Sequence, residues 1–142
     1  MNAGGAILPT ERAIQRATVK MLRTVFPRVF TFAVPNGAVL AGNTAQRCRQ
    51  MGALLGDGLV KGCPDIICCW TGGNAMIEVK RPKTGRMSDE QKKVHELLGF
   101  MGIPVKTVTH PDQAYAFLRE AGAPWSGIDP REDKSDPLWG AP

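Results

Sequence analysis

Residues 65–81 read DIICCWTGGNAMIEVKR, and the way this stretch folds decides the architecture of the whole chain. Two runs rich in apolar and β-branched residues, Asp65 to Thr71 and Asn74 to Arg81, flank Gly72-Gly73, which predicts two strands joined by a tight hairpin. Apolar residues fill both alternating sets, Ile66, Cys68, Ile77 and Val79 on one and Ile67, Cys69 and Met76 on the other. Strands of that kind are expected at the centre of a sheet with helices over them. Three charges interrupt the pattern: Asp65, Glu78 and Lys80. A hairpin folded symmetrically near Thr71 and Gly72 puts Asp65 opposite Glu78, and Lys80, two residues on, projects from that same face. A slip of one residue would separate them.

Toward the N-terminus, Thr10 caps a predicted helix whose apolar residues Ile14, Ala17, Met21, Leu22 and Val25 follow the spacing of one buried stripe, up to Pro27. Val29 to Val34 reads as a strand, and Pro35-Asn36-Gly37 as the turn that breaks it. Residues 44–55 give a weaker helical pattern, with Ala45, Met51, Leu54 and Leu55, before the loop Gly56-Asp57-Gly58.

Toward the C-terminus, the polar loop Pro82 to Met87 leads to Ser88. This serine is a good N-cap, with Gln91 placed for a capping box, and Val94, Leu97, Leu98 and Met101 continue the helix to Gly102. Pro104 to Thr109 is a fourth strand, and Pro111 opens a last helix carrying Ala114, Phe117 and Leu118 to about Ala121. Third strand, helix and fourth strand have the length of a right-handed parallel crossover, so the fold class is α/β, with a mixed central sheet of about four strands flanked by helices.

A chain of 142 residues accommodates one domain, read here as 1–121, followed by a Pro/Gly-rich acidic tail, 122–142. Trp125 and Trp139 in that tail could dock on the body, meet a partner or have no fixed place. The composition, 43% hydrophobic and 22% charged, excludes a disordered chain, and no apolar run reaches the roughly 18 residues of a spanning helix. Met1 to Pro9 carries no secretory pattern, so the expectation is a cytoplasmic protein without a membrane partner. Four cysteines, Cys48, Cys63, Cys68 and Cys69, form no C-x-x-C pair and read as reduced, small core residues.

The net charge of +5 is uneven. The tail holds two basic against four acidic residues, leaving sixteen basic against nine acidic in the body. Such a surplus favours a polyanionic partner, because Lys and Arg release the counterions condensed on phosphates. The cluster Arg81, Lys83, Arg86, Lys92 and Lys93, with Arg47, Arg49 and Lys61 as a second edge, is the expected nucleic-acid surface, suited to contacting a backbone without reading bases.

Two carboxylates facing each other in a buried setting repel, and a divalent cation resolves the conflict. Mg²⁺ binds through one or two carboxylates plus waters and phosphates, which suits Asp65 and Glu78 beside a basic surface, and Lys80 could orient or deprotonate a water. The bland alternative has Asp65 binding amides after Pro64 and Glu78 pairing with Lys80 or Arg81.

The ordered set Gly62-Cys63-Pro64-Asp65, Glu78-Val79-Lys80-Arg81-Pro82-Lys83 and Ser88-Asp89-Glu90-Gln91 resembles the VRR-NUC family of the PD-(D/E)XK nuclease superfamily. The resemblance runs from about Glu11 to Leu118 and includes Pro35-Asn36-Gly37; Cys63 departs from it, standing where a small aliphatic residue is usual. It implies a restriction-endonuclease-like core, Mg²⁺ or Mn²⁺ held by Asp65, Glu78, Glu11 and the Val79 carbonyl, Lys80 as catalytic lysine, and Gln91 in support. An acid in a first helical turn also suits the helix dipole in any protein, and Gln91 also suits ordinary capping. By resemblance the activity is an endonuclease on branched DNA such as Holliday junctions, working as a homodimer in a bacterial cell or phage-infected host. A flap nuclease and a non-catalytic nucleic-acid-binding module are the alternatives. His95 and His110 attract no role.

Overall fold

The hairpin forms in the register that the charges require. In the computed structural model, which describes residues 7–35 and 40–132, strands β2 (Ile66–Trp70) and β3 (Gly73–Val79) pair antiparallel, with Ile66 opposite Ile77 and Trp70 opposite Gly73. The turn itself is Thr71-Gly72. Gly72 adopts φ 90°, a left-handed conformation that costs glycine nothing, so Gly73 belongs to the strand rather than to the turn. A side chain at Gly73 would collide with the Trp70 indole at 2.6 Å, so the bare backbone gives that ring its seat across the pair.

Strand β1 (Phe30–Ala33) adds antiparallel to β2, and β4 (Val105–Val108) adds parallel to β3, giving a mixed sheet in the order β1-β2-β3-β4. The hairpin strands are central, as expected. Four helices flank the sheet: α1 (Glu11–Val25), α2 (Thr44–Gly56), α3 (Asp89–Phe100) and α4 (Pro111–Glu120). Helix α3 connects β3 to β4, the parallel crossover read from the sequence. Among the described residues no helix is long and apolar enough to cross a membrane. Of the turn Pro35-Asn36-Gly37, residues 36 and 37 lie outside the described residues, as do residues 133–142 with Trp139.

The core lies between one face of the sheet and helices α1 and α4. Ile66, Cys68, Ala75, Ile77, Val79 and Val108 meet Ile14, Met21, Leu22, Val25, Ala114, Tyr115 and Leu118 there. Thr10 caps α1 by accepting from the Ala13 amide at 3.1 Å. The buried stripe of α1 contains Thr18 where Ala17 was expected; Ala17 is only half-buried.

Helix α3 departs more. It begins at Ser88 with a full capping box, yet none of its residues is buried, and Leu97 and Met101 are 54% and 60% exposed. Its apolar stripe overhangs the sheet instead of closing a second core. The cysteines are corrected as well: only Cys68 is buried, held near the Thr31 hydroxyl, whereas Cys63 is half-buried and Cys48 and Cys69 are exposed.

Beyond α4 the chain stays on the body as far as residue 132. Ala123 is buried, the Ser126 amide donates to the Val25 carbonyl, and Trp125 lies edge-on to Tyr115 with the Arg119 guanidinium 3.4 Å above its ring. Trp125 therefore docks on the body.

Candidate active site

Continuing the β2–β3 register by one residue pairs Asp65 with Glu78. Both project from the sheet face opposite the core, together with Lys80. Asp65 is fixed from two sides: its carbonyl accepts from the Val34 amide at 2.8 Å, and its Oδ2 accepts from the Val79 amide at 2.8 Å. The backbone at Val79 thus borders the carboxylate, through an amide on the neighbouring strand.

Glu78 is 1% exposed, the most deeply buried charged residue among those described. Gln91 Nε2 donates to its Oε1 at 2.7 Å, His95 Nε2 lies 3.5 Å from its Oε2, and Lys80 Nζ is 3.9 Å from Oε1. Burial, then the Asp65 charge and a carboxyl–carboxyl hydrogen bond to Asp65, push the Glu78 carboxyl up to about 8, with Lys80 opposing.

Gln91 plays both parts open to it. Its Oε1 accepts from the Ser88 amide at 2.9 Å, closing the capping box, while its Nε2 reaches Glu78. His95, one helical turn on from Gln91, was missed. The i, i+4 spacing on α3 was a signal that could have found it, since whichever residue stands four after Gln91 shares its face. The same burial that shelters His95 holds its imidazole below the ordinary value, against the pull of Asp65.

Gly62 makes this meeting of helix and hairpin possible. It has φ 90°, and a Cβ there would lie 2.5 Å from the Glu90 backbone and 2.7 Å from the Gln91 amide. Only a glycine lets the loop before Pro64-Asp65 pass against the first turn of α3.

Asp65, Glu78, Lys80 and Gln91 line an open cleft of about 700 Å³, and Glu11, Arg12, Gln15 and Arg16 from α1 form its opposite wall with Val34 and Pro35. Glu11 shares the cleft and its charge adds to the rise at Glu78. Among the described residues, however, no three His, Cys, Asp or Glu side chains gather closely enough to hold a metal ion by themselves. Zinc in a protein cage needs such a set. Magnesium does not, since it keeps several waters and binds through one or two carboxylates with substrate phosphate, so the donor pair fits Mg²⁺ or Mn²⁺.

The expected basic surface is placed differently. Arg81 is occupied, its Nη2 donating to the Leu8 carbonyl at 3.1 Å, so it braces the approach to α1. Arg86 is turned back on its own loop, donating to the Lys83 and Gly85 carbonyls. Arg47, Lys61, Lys83, Lys92 and Lys93 are exposed, and none of them lines the cleft. Lys61 borders a neighbouring groove that shares Gln91. Among the described residues the cations that line the cleft with Lys80 are Arg12 and Arg16, on a helix whose sequence reading concerned its buried stripe and Glu11 but not its cations. His110 caps α4, accepting from the Asp112 amide at Nδ1.

Comparison with protein-family models, curated proteins and solved structures finds no match to the chain.

Proposed function

We propose that the protein is a Mg²⁺- or Mn²⁺-dependent endonuclease that hydrolyses DNA phosphodiester bonds. The observation that carries this reading is the pairing of Asp65 with the buried Glu78, whose carboxyl is pushed up to about 8, beside Lys80 on the floor of an open cleft. Repelling acids of this kind cost stability unless something positive sits with them, and a carboxyl perturbed by burial and a neighbouring charge in a cleft is a candidate for a reactive site. Lys80 Nζ, 3.9 Å from Glu78 Oε1, supplies positive charge next to the buried acid.

A divalent ion between Asp65 and Glu78 would lower the pKa of water and neutralise charge growing on the phosphate. The chain's own side chains have complementary tasks. The Val79 amide holds Asp65, and Gln91 and His95 hold the two oxygens of Glu78, so both carboxylates are oriented before substrate arrives. Lys80 would orient the attacking water and stabilise negative charge on the phosphoryl oxygens. Arg12 and Arg16 across the cleft supply contacts that position a phosphate backbone.

The resemblance to the VRR-NUC family supports the same chemistry. It is also the source of the narrower proposals: branched DNA such as a four-way junction as substrate, a homodimer whose two sites match the twofold symmetry of that junction, and a cytoplasmic setting.

The test is a cleavage panel on labelled four-way junction, flap and linear duplex with Mg²⁺, Mn²⁺ or chelator. Metal-dependent cutting, strongest on the junction, is the expected result. Cutting that survives chelation overturns the metal assignment, and binding without cutting on every substrate leaves a non-catalytic nucleic-acid-binding module.

A further inference from the structure

Helix α1 reads ERAIQRATVKMLRTV and carries Arg12, Arg16, Lys20 and Arg23, with Glu11 as its only acid. At about 100° per residue these four cations fall within about 80° of one another, on the side away from the buried stripe. All four are exposed. Among the described residues none of them forms an ion pair with a carboxylate; Arg23 instead donates to the Thr31 carbonyl at 3.3 Å, which holds its guanidinium over the β1 end of the helix.

An ordinary solvated helix face alternates charge signs, because like charges four residues apart destabilise the helix by tenths of a kcal/mol. Here Arg12, Arg16 and Lys20 repeat at that unfavourable spacing. A shallow groove of about 470 Å³ runs along the same face, lined by Gln15, Arg16, Val19, Lys20, Arg23 and Thr24. Gln15 and Arg16 also line the catalytic cleft, so the two depressions adjoin at these residues.

We propose that the outer face of α1 is a track for one strand of the nucleic acid, leading its backbone out of the cleft past Arg12, Arg16, Lys20 and Arg23. This rests on the nuclease reading of the cleft and adds the direction in which substrate leaves it. Eleven residues at about 1.5 Å per residue span about 16 Å, the length of about five nucleotides in one strand. Cations four residues apart stand about 6 Å apart, so at about 3.4 Å per nucleotide they meet about every second phosphate, and among the described residues no acid lines the groove between them.

Anisotropy of a 5′-labelled oligonucleotide, titrated with full-length protein in chelator over a range of salt, tests the track. The triple variant Arg16→Gln/Lys20→Gln/Arg23→Gln is expected to bind about 100-fold more weakly and to flatten the log–log salt slope by about two to three, one phosphate contact per lost charge. Lys20→Arg/Arg23→Lys keeps the charges and is expected to bind within about threefold of wild type, which separates lost contacts from a damaged helix. Lys106→Gln, the loss of one charge on β4 away from the track, is expected to leave the slope within about 0.3 of wild type. A triple variant that matches the wild type while the wild type binds and cuts overturns the track alone. A wild type that binds no oligonucleotide and cuts nothing overturns the nuclease reading and the track together.

Discussion

The two faces of the central sheet are built on opposite terms. On one, Ile66, Cys68, Ala75, Ile77, Val79 and Val108 are closed over by α1 and α4, and every one of them is buried. On the other, Ile67 and Met76 are half-buried, Cys69 is exposed, and α3 lies over the β4 side without burying a residue of its own. Asp65, Glu78 and Lys80 belong to this second face. The first face supplies the burial that stabilises the fold, and the second uses that rigidity to hold charges that an apolar contact would expel. Neighbouring residues of β3 divide the labour: Ile77 and Val79 anchor the strand, and Glu78 between them is aimed at the cleft.

Substitutions three residues apart, on opposite faces, should therefore fail in different ways. The largest effect is expected from Lys80→Ala: cleavage at least about 1,000-fold slower, about 4 kcal/mol of barrier, with oligonucleotide binding and thermal midpoint little changed. Normal cutting by this variant would remove Lys80 from the mechanism. Ile77→Ala, three positions earlier and on the closed face, is expected to cost about 2–5 kcal/mol in denaturant unfolding while a folded fraction still cuts.

The third contrast is with pH. A carboxyl raised from 4.5 to about 8 binds its proton more tightly in the folded than in the unfolded chain. Its contribution is present in full below about 4.5 and is lost as pH rises toward 8, so the metal-free protein should melt progressively lower over that window. Glu78→Gln should abolish most of this slope and raise the midpoint at pH 8 by about 5 °C, whereas added Mn²⁺ should restore stability to the wild type and not to the variant. A pH-independent midpoint would show that Glu78 ionises freely. The smallest effect is expected for His95→Ala: about tenfold more Mn²⁺ for half-maximal thermal stabilisation, with cutting at saturating metal within about threefold of wild type. An unchanged metal titration would mean that Gln91 alone orients Glu78.

The closed face was largely legible in the sequence because periodicity reports it. The β2–β3 register followed from a short turn and the alternation of Ile, Cys and Val, and Ser88 with Gln91 announced the start of α3. Asp65, Glu78 and Lys80 stood out because strands that are apolar on both faces leave a charge no innocent place. The open face was harder to read. Leu97 and Met101 have the spacing of a buried stripe, but spacing cannot say whether a helix reaches far enough over a sheet to cover it. Cys69 was assigned to the interior by residue type alone, and the missing cover on its face reverses that. Basic residues near the motifs in sequence, Lys83, Lys92 and Lys93, drew notice, whereas Arg12 and Arg16 reach the cleft from a distant helix by tertiary packing. His95 was passed over for the same reason, because its significance lies in what faces it.

The turn at Thr71-Gly72 has a consequence for how such a chain can change length. It sits about 20 Å from Asp65, six strand steps away, and does not line the cleft. Yet adding or deleting a single residue within either arm, if absorbed without a bulge, would rotate Glu78 into the oily interior and turn an aliphatic neighbour outward. Drift in hairpin length is consequently tolerated at the solvent-exposed tip and in even steps elsewhere, a parity rule that homologous sequences would have to obey.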